Sequence, residues 1–159
     1  MFTHLLIPLD GSRLAEAALP SALALAAKFE STITLLRVVR PPDISTSTTG
    51  SPMTEVLTML RAHSQEEAES YLRVLQGSLR QQGYKIHRHV IFGDGVADII
   101  LEVAQGQAVV QSQAVDVIVM STHGRSGLSR WVFGSVADKV LRQAQVPVLL
   151  IRAQEEAEA

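Results

Sequence analysis

The stretch "VDVIVM" (115–120), the loop "STHGRSGLSRWVFGS" (121–135) and the run "VADKVLRQA" (136–144) follow one another without interruption. The first is short, apolar and β-branched, the pattern of a strand at the centre of a parallel sheet. The last reads as a helix. Between them Gly124, Gly127 and Gly134 punctuate a loop that also carries His123, Arg125 and Arg130. Glycines let backbone N–H groups approach an anion closely, and a helix N-terminus adds a positive partial charge. Gly134-Ser135 opens the helix, with the Ser135 hydroxyl expected as its cap and Asp138 three residues on, as in a capping box. The residues alone leave two readings open, a phosphate-binding junction or a plain helix cap behind a flexible loop. No GxxxxGK[ST] occurs in the chain, so the loop is not a Walker A motif.

Working outward, the same alternation recurs. Leu5 to Leu9 is a buried strand that runs into an Asp10-Gly11-Ser12 turn, with Ser12 as helix cap. The following helix places Leu14, Ala18, Ala22, Leu25 and Phe29 on one face, and Pro20 should kink it. "TITLLRVV" (32–39) is a second strand. The Ser/Thr-rich segment around 41–54 is expected as a mobile connection, with phosphorylation as an alternative role. A long helix from about Glu55 carries Leu57, Leu60, Ser64, Ala68, Tyr71, Leu75 and Leu79 on one face and stops at Gly83. "KIHRHVIF" (85–92) alternates polar and apolar residues, as a half-exposed strand near a sheet edge does. Gly93-Asp94-Gly95 turns into a helix with Val96, Ile99, Ile100 and Val103, whose end within "AQGQAVVQSQ" the sequence does not place. "AVDVIVM" (114–120) is the fourth strand, 135 to about 143 the next helix, and "VPVLLI" (146–151) the fifth strand.

Strand and helix in strict alternation imply right-handed βαβ units and an α/β fold, a doubly wound parallel sheet with helices on both faces. In such sheets a ligand sits beyond the carboxyl ends of the strands, where the strand order reverses. Pro8-Leu9-Asp10 and the segment from Ser121 onward lie at that edge. One domain over 1–153 with an acidic tail, 154–159, accounts for the 159 residues. The hydrophobic share of 47% against 19% charged residues argues for a packed core rather than disorder. A net charge of -2 and only 4% aromatic residues argue against nucleic-acid or anionic-membrane partners. The absence of cysteine removes disulfides and thiolate metal sites. With no signal-peptide pattern and no membrane-length apolar run, a cytoplasmic protein is expected. His87 and His89 share a strand face, a two-ligand pattern too small for a metal site.

The chain resembles the universal stress protein family from "LLIPLDGS" to "VPVLLIR". ATP-binding members carry Gly-x2-Gly-x9-Gly-[Ser/Thr] after the fourth strand, and here Ser121-x2-Gly124-x9-Gly134-Ser135 keeps that spacing with serine in place of the first glycine. The resemblance implies a five-stranded Rossmann-like sheet of order 3-2-1-4-5. It implies that Pro8, Leu9 and Asp10 contact adenosine, Asp10 as the acidic side chain, and that the Val38 backbone reads the adenine edge. Gly124, Gly134 and Ser135 would cradle phosphates, with Met120, Ser121, His123, Arg125 and Gly127 completing the surroundings. Trp131 and Phe133 read as packing residues that anchor the loop. The implied ligand is ATP, with AMP or ADP as alternatives, and Mg2+ or Mn2+ enters only through the phosphates. The implied assembly is a homodimer that pairs strand 146–151 with its copy.

Three functions compete. A stress-response nucleotide sensor or regulator leads. An ATPase or nucleotidyl transferase lacks an obvious base placed for an attacking water. An interaction module with an empty site gains support from Ser121, where a left-handed backbone would cost a non-glycine residue about 1–2 kcal/mol. A phosphoacceptor receiver domain fits poorly, because Asp10 stands alone after the first strand and the third strand ends "IFGD".

Overall fold

A parallel strand cannot reach its neighbour by a hairpin, so each pairing demands a crossover, and the crossovers decide where the helices lie. The computed structural model describes residues 2–41, 52–107, 114–123 and 134–153. In chain order the elements are β1 (His4–Pro8), α1 (Arg13–Glu16), α2 (Leu19–Phe29), β2 (Thr32–Val39), α3 (Pro52–Gln81), β3 (Lys85–Phe92), α4 (Val96–Ala104), β4 (Val117–His123), α5 (Ser135–Gln143) and β5 (Val148–Ala153). The sheet has the order β3-β2-β1-β4-β5, as the family resemblance implies, and every pair is parallel, as the alternation of strand and helix predicts.

The chain steps from β1 to β2 to β3 in one direction, so right-handed crossovers place α1, α2 and α3 on one face. It then crosses back past β1 to β4 and continues to β5, which places α4 and α5 on the other. Two cores result, each using alternate strand residues. Leu5, Ile7, Ile33, Leu35, Val117 and Val119 pack on Ala18, Ala22, Leu72 and Leu79. Leu6, Leu36, Ile118 and Met120 pack on Ala97, Ile100, Val103 and Val140. β3 lies at an edge, matching its mixed pattern. α3 reaches that edge at Ile86, whose carbonyl accepts hydrogen bonds from Gln76 Nε2 (2.9 Å) and Arg80 Nη2 (2.7 Å).

Several boundaries differ from expectation, each for a local reason. Pro20 does not kink one helix; it sits in the first turn of α2, where its missing N–H costs no intrahelical bond, and α1 ends before it. The buried stripe of α2 is alanine-based, and Phe29 is 36% exposed against Phe2. α3 starts at Pro52, again a first-turn proline, and only its C-terminal part lies over the sheet. Ala68, Leu72 and Leu79 are therefore buried, while Leu60 remains 49% exposed. Gly83, at φ +94, closes α3: the Gly83 and Tyr84 amides donate to the Arg80 and Leu79 carbonyls at 3.0 and 3.2 Å. α4 ends at Ala104.

β4 begins and ends three residues later than the sequence suggests, and β5 runs over 148–153 rather than 146–151. Ser121, Thr122 and His123 pair with Ile151, Arg152 and Ala153, so the start of the expected loop belongs to the sheet. Pro147 cannot donate to the ladder, but its carbonyl accepts from Ile118 N at 3.0 Å. Of the expected connection 41–54, residues 52–54 belong to α3, and 42–51, like the segment 108–113 and the tail 154–159, lie outside the described residues.

Asp116 stays out of β4 because its carboxylate clasps the start of β1. Oδ2 accepts from the Thr3 amide (2.7 Å), the Thr3 hydroxyl (2.6 Å) and the His4 amide (2.9 Å). The Thr3 hydroxyl bond foremost holds this carboxyl below the usual carboxylate range. Folding therefore favours the ionised form; the stabilisation is complete above the unfolded carboxylate value near 4 and fades as pH falls through the lower folded value. Asp116→Ala should lower stability at pH 7 by about 1 kcal/mol, discounted because the carboxylate remains close to water. Urea unfolding measures this, and the gap from the unsubstituted protein should narrow below about pH 4.

Candidate functional site

The strand order reverses between β1 and β4, and their crossover helices depart to opposite faces. Among the described residues no helix lies across the carboxyl ends of these two strands. A cavity of about 420 Å³ occupies the position. Pro8, Leu9 and Asp10 form its wall beyond β1, and Met120, Ser121 and Thr122 the wall at β4. Leu36, Val38 and Arg40, alternate residues on β2 and just past it, form a third side. Val96 and Ile100 of α4, one helical turn apart, close it from above, and Gly134 to Ala137 bring in the start of α5.

The β1 wall is a turn with a side-chain lock. Ser12 N donates to Asp10 Oδ1 at 2.8 Å, Gly11 has φ +86, and the Ser12 hydroxyl accepts from Ala15 N at 3.1 Å as the cap of α1. Ser12 and Ala15 line the cavity as well.

At β4, Ser121 is ordinary strand. The one positive φ on a non-glycine among the described residues is at Glu30, so the left-handed cost expected at Ser121 does not arise. Its hydroxyl donates to the Leu14 carbonyl at 2.5 Å, which commits that proton to the protein and ties β4 to α1.

The N-terminus of α5 departs from the expected capping box. Ser135 is already helical, and Gly134 (φ -55, ψ 153) is the N-cap, with no side-chain cap hydrogen bond. Asp138 instead accepts from Arg142 Nε at 2.9 Å. Among the described residues no side chain satisfies the first-turn N–H groups of α5, and the helix dipole points the same way. The cavity thus combines apolar walls from Leu36, Val38, Val96, Ile100 and Met120 with an anion-accepting end at Gly134-Ser135, and the Asp10 carboxylate and Arg40 guanidinium add charge. A flat apolar group with an anionic tail matches this layout.

The structure brings Pro8, Leu9, Asp10, Val38, Met120, Ser121, Gly134 and Ser135 around one cavity. His123 ends β4 opposite Ala153. Gly124, Arg125 and Gly127, with Arg130, Trp131 and Phe133, lie outside the described residues. His87 is exposed and His89 half-buried on β3; burial first, then His87, Arg88 and His4, hold the His89 imidazole below its ordinary value. Among the described residues no three His, Asp or Glu side chains are grouped to hold a metal. Sequence reasoning missed Arg40, Thr122, Val96 and Ile100. The parity of Val38 with Arg40 and of Met120 with Thr122 carried the signal for two of these.

Residues 1–152 match the sequence profile of the universal stress protein family, and the chain belongs to that family. A universal stress protein of Methanocaldococcus jannaschii, MJ0531, is 30% identical over 153 residues, covering 96% of this chain and 83% of its own. The solved structure of MJ0577 superposes with a TM-score of 0.76 at 25% identity, covering 98% of this chain and 99% of that one. A universal stress protein solved in complex with cAMP shares the fold, with a TM-score of 0.66 at 18% identity over 96% of this chain and 98% of its own. Among the described residues no helix is long and apolar enough to cross a membrane.

The Ser121 contact yields a direct expectation. Ser121→Gly removes the bond to Leu14 and adds glycine's backbone entropy, so stability should fall by about 1–2 kcal/mol. Denaturant unfolding measures it, and an unchanged midpoint would mean the hydroxyl contact contributes nothing.

Proposed function

We propose that this universal stress protein holds an adenine nucleotide in the cavity at the carboxyl ends of β1, β2 and β4, and acts as a homodimeric regulator in the cytoplasmic stress response. ATP is the first candidate, with ADP and AMP as alternatives, and any Mg2+ or Mn2+ would enter on the phosphates. The observation that carries the proposal is the convergence of eight residues, named from the sequence, on one cavity that ends at the uncapped start of α5. In this reading the base lies along Val38 and Met120, the sugar meets Asp10, and the phosphates meet the α5 amides. The cAMP complex of a structural relative supports an adenine nucleotide as the ligand class.

Binding without turnover is favoured over an ATPase. Among the described lining residues the one carboxylate is Asp10, and it already accepts from Ser12 N. Among those residues no second carboxylate or imidazole is placed to deprotonate an attacking water. For assembly, β5 is a short apolar edge strand, and no strand pairs with its outer side among the described residues. β3, by contrast, has α3 side chains bonded to its Ile86 carbonyl. An edge of this kind favours an isologous pairing with a second copy.

Gly134→Val should abolish ATP binding by calorimetry while the circular dichroism spectrum stays native, because a side chain there blocks the approach to the α5 amides. Asp10→Ala should weaken ATP about ten- to hundredfold and reduce discrimination among nucleotides, the scale of one charge-assisted hydrogen bond. Hydrolysis should stay far below the ~10 s⁻¹ of a median enzyme. Turnover near that rate, lost on a polar substitution that preserves affinity, would make the protein an enzyme instead. Light scattering should report a dimer for the unsubstituted chain, and Val148→Lys with Leu150→Lys should yield monomers. A doubly substituted protein that stays dimeric places the interface elsewhere.

A further inference from the structure

The Asp10-Gly11-Ser12 turn rests on a side chain that does not itself reach the cavity. Arg37 lies on β2 between Leu36 and Val38, and its side chain belongs to the opposite face of the strand. Gly11 sits directly against it: a Cβ on Gly11 would lie 2.7 Å from Arg37 Nη1. The guanidinium is held in place by α3. It stacks over the Tyr71 ring at 5.3 Å from the centroid, and its Nη2 meets Glu67 Oε1 at 3.4 Å. With a side chain only 15% exposed, Arg37 is packed rather than solvated. Tyr71 also grips α1, since its hydroxyl donates to Glu16 Oε1 at 2.7 Å. Burial foremost, then the Glu16 bond, pushes that hydroxyl well above its ordinary pKa, so it remains a donor throughout the physiological range.

We propose that Arg37 is a positioning residue for the nucleotide site: packed behind Gly11, it fixes the Asp10–Ser12 turn, and with it the Asp10 carboxylate, and couples that turn to α3. The inference rests on the nucleotide-binding reading above. Planarity matters to the role, because a flat guanidinium fits between the Gly11 backbone and the Tyr71 ring, whereas a lysine ammonium keeps the charge without the stack. The coupling has a consequence for regulation. Anything that displaces Glu67 or Tyr71 on α3 would be felt at Asp10 without touching the ligand.

The test titrates ATP by calorimetry into the unsubstituted protein, Arg37→Ala, Arg37→Lys, Asp10→Ala and the Arg37→Ala/Asp10→Ala double variant. Hydrogen exchange of the Ser12 amide, the donor to Asp10 Oδ1, is followed in parallel on ligand-free protein. Arg37→Ala should weaken ATP about tenfold in the native background and less than about twofold when Asp10 is already gone, because effects transmitted through one group do not add. Arg37→Lys should show a smaller loss with the same dependence on Asp10, and it carries the test if the alanine variant does not fold. The Ser12 amide should exchange about tenfold faster in Arg37→Ala while the β1 amides keep their protection. Unchanged affinity with unchanged Ser12 exchange overturns the proposal, as does an equal loss of affinity in both backgrounds. Failure of the unsubstituted protein to bind ATP would overturn the nucleotide reading instead. Ser12 exchange then decides alone whether Arg37 sets the turn.

Discussion

The structure depends on one constraint of handedness. Parallel strands joined by right-handed crossovers must carry their helices to opposite faces when the strand order reverses, and here it reverses beside β1. The cavity follows from that reversal. β1 and β4 lie next to each other, yet α1 leaves on one face while α5 begins on the other, so among the described residues no helix lies across the carboxyl ends between them. Asp116 helps hold these two strands together through its bonds to Thr3 and His4. Towards the other end of β4, Ser121 ties the strand to α1, where its hydroxyl reaches the carbonyl of Leu14.

What the crevice offers is set by which groups are already satisfied. Ser12 caps α1, and Asp10 is engaged by Ser12 N, so the β1 side is rigid and polar. α5 is different: its N-cap is a glycine, and the one acidic side chain of its first turn pairs with Arg142. Among the described residues no side chain bonds its first-turn amides, and our proposal assigns them to a ligand anion. Apolar residues of β2, α4 and β4 separate these two polar ends. Our proposal reads the chain as a binder because, among the described lining residues, the one carboxylate is Asp10.

Much of this was legible in the sequence. Alternating strand and helix patterns supplied the sheet order with the family resemblance, and "TITLLRVV" and "KIHRHVIF" match β2 and β3 residue for residue. Boundaries were harder wherever tertiary contacts outweigh local pattern. Asp116 reads as part of an apolar run but is pulled into a clasp on β1, which delays β4. Leu57 and Leu60 fit a helical stripe, yet α3 outruns the sheet, leaving Leu57 half-buried and Leu60 exposed. The site was legible at the motif residues. Arg40 shares the strand parity of Val38, but Val96 and Ile100 were not legible, because their place at the cavity comes from how β2 and α4 converge in space. Arg37 was invisible for the same reason: only the packing of Gly11 against its guanidinium gives it a role.

Amide chemical-shift mapping of isotope-labelled protein during an ATP titration tests the central claim most directly. The account predicts shifts concentrated at Asp10–Ser12, Val38–Arg40, Met120–Thr122 and Gly134–Ala137, with silence at the far end of the sheet around Ser31, Gly83 and Tyr84. Shifts clustered at that far end, or no shifts at millimolar ATP, would contradict it.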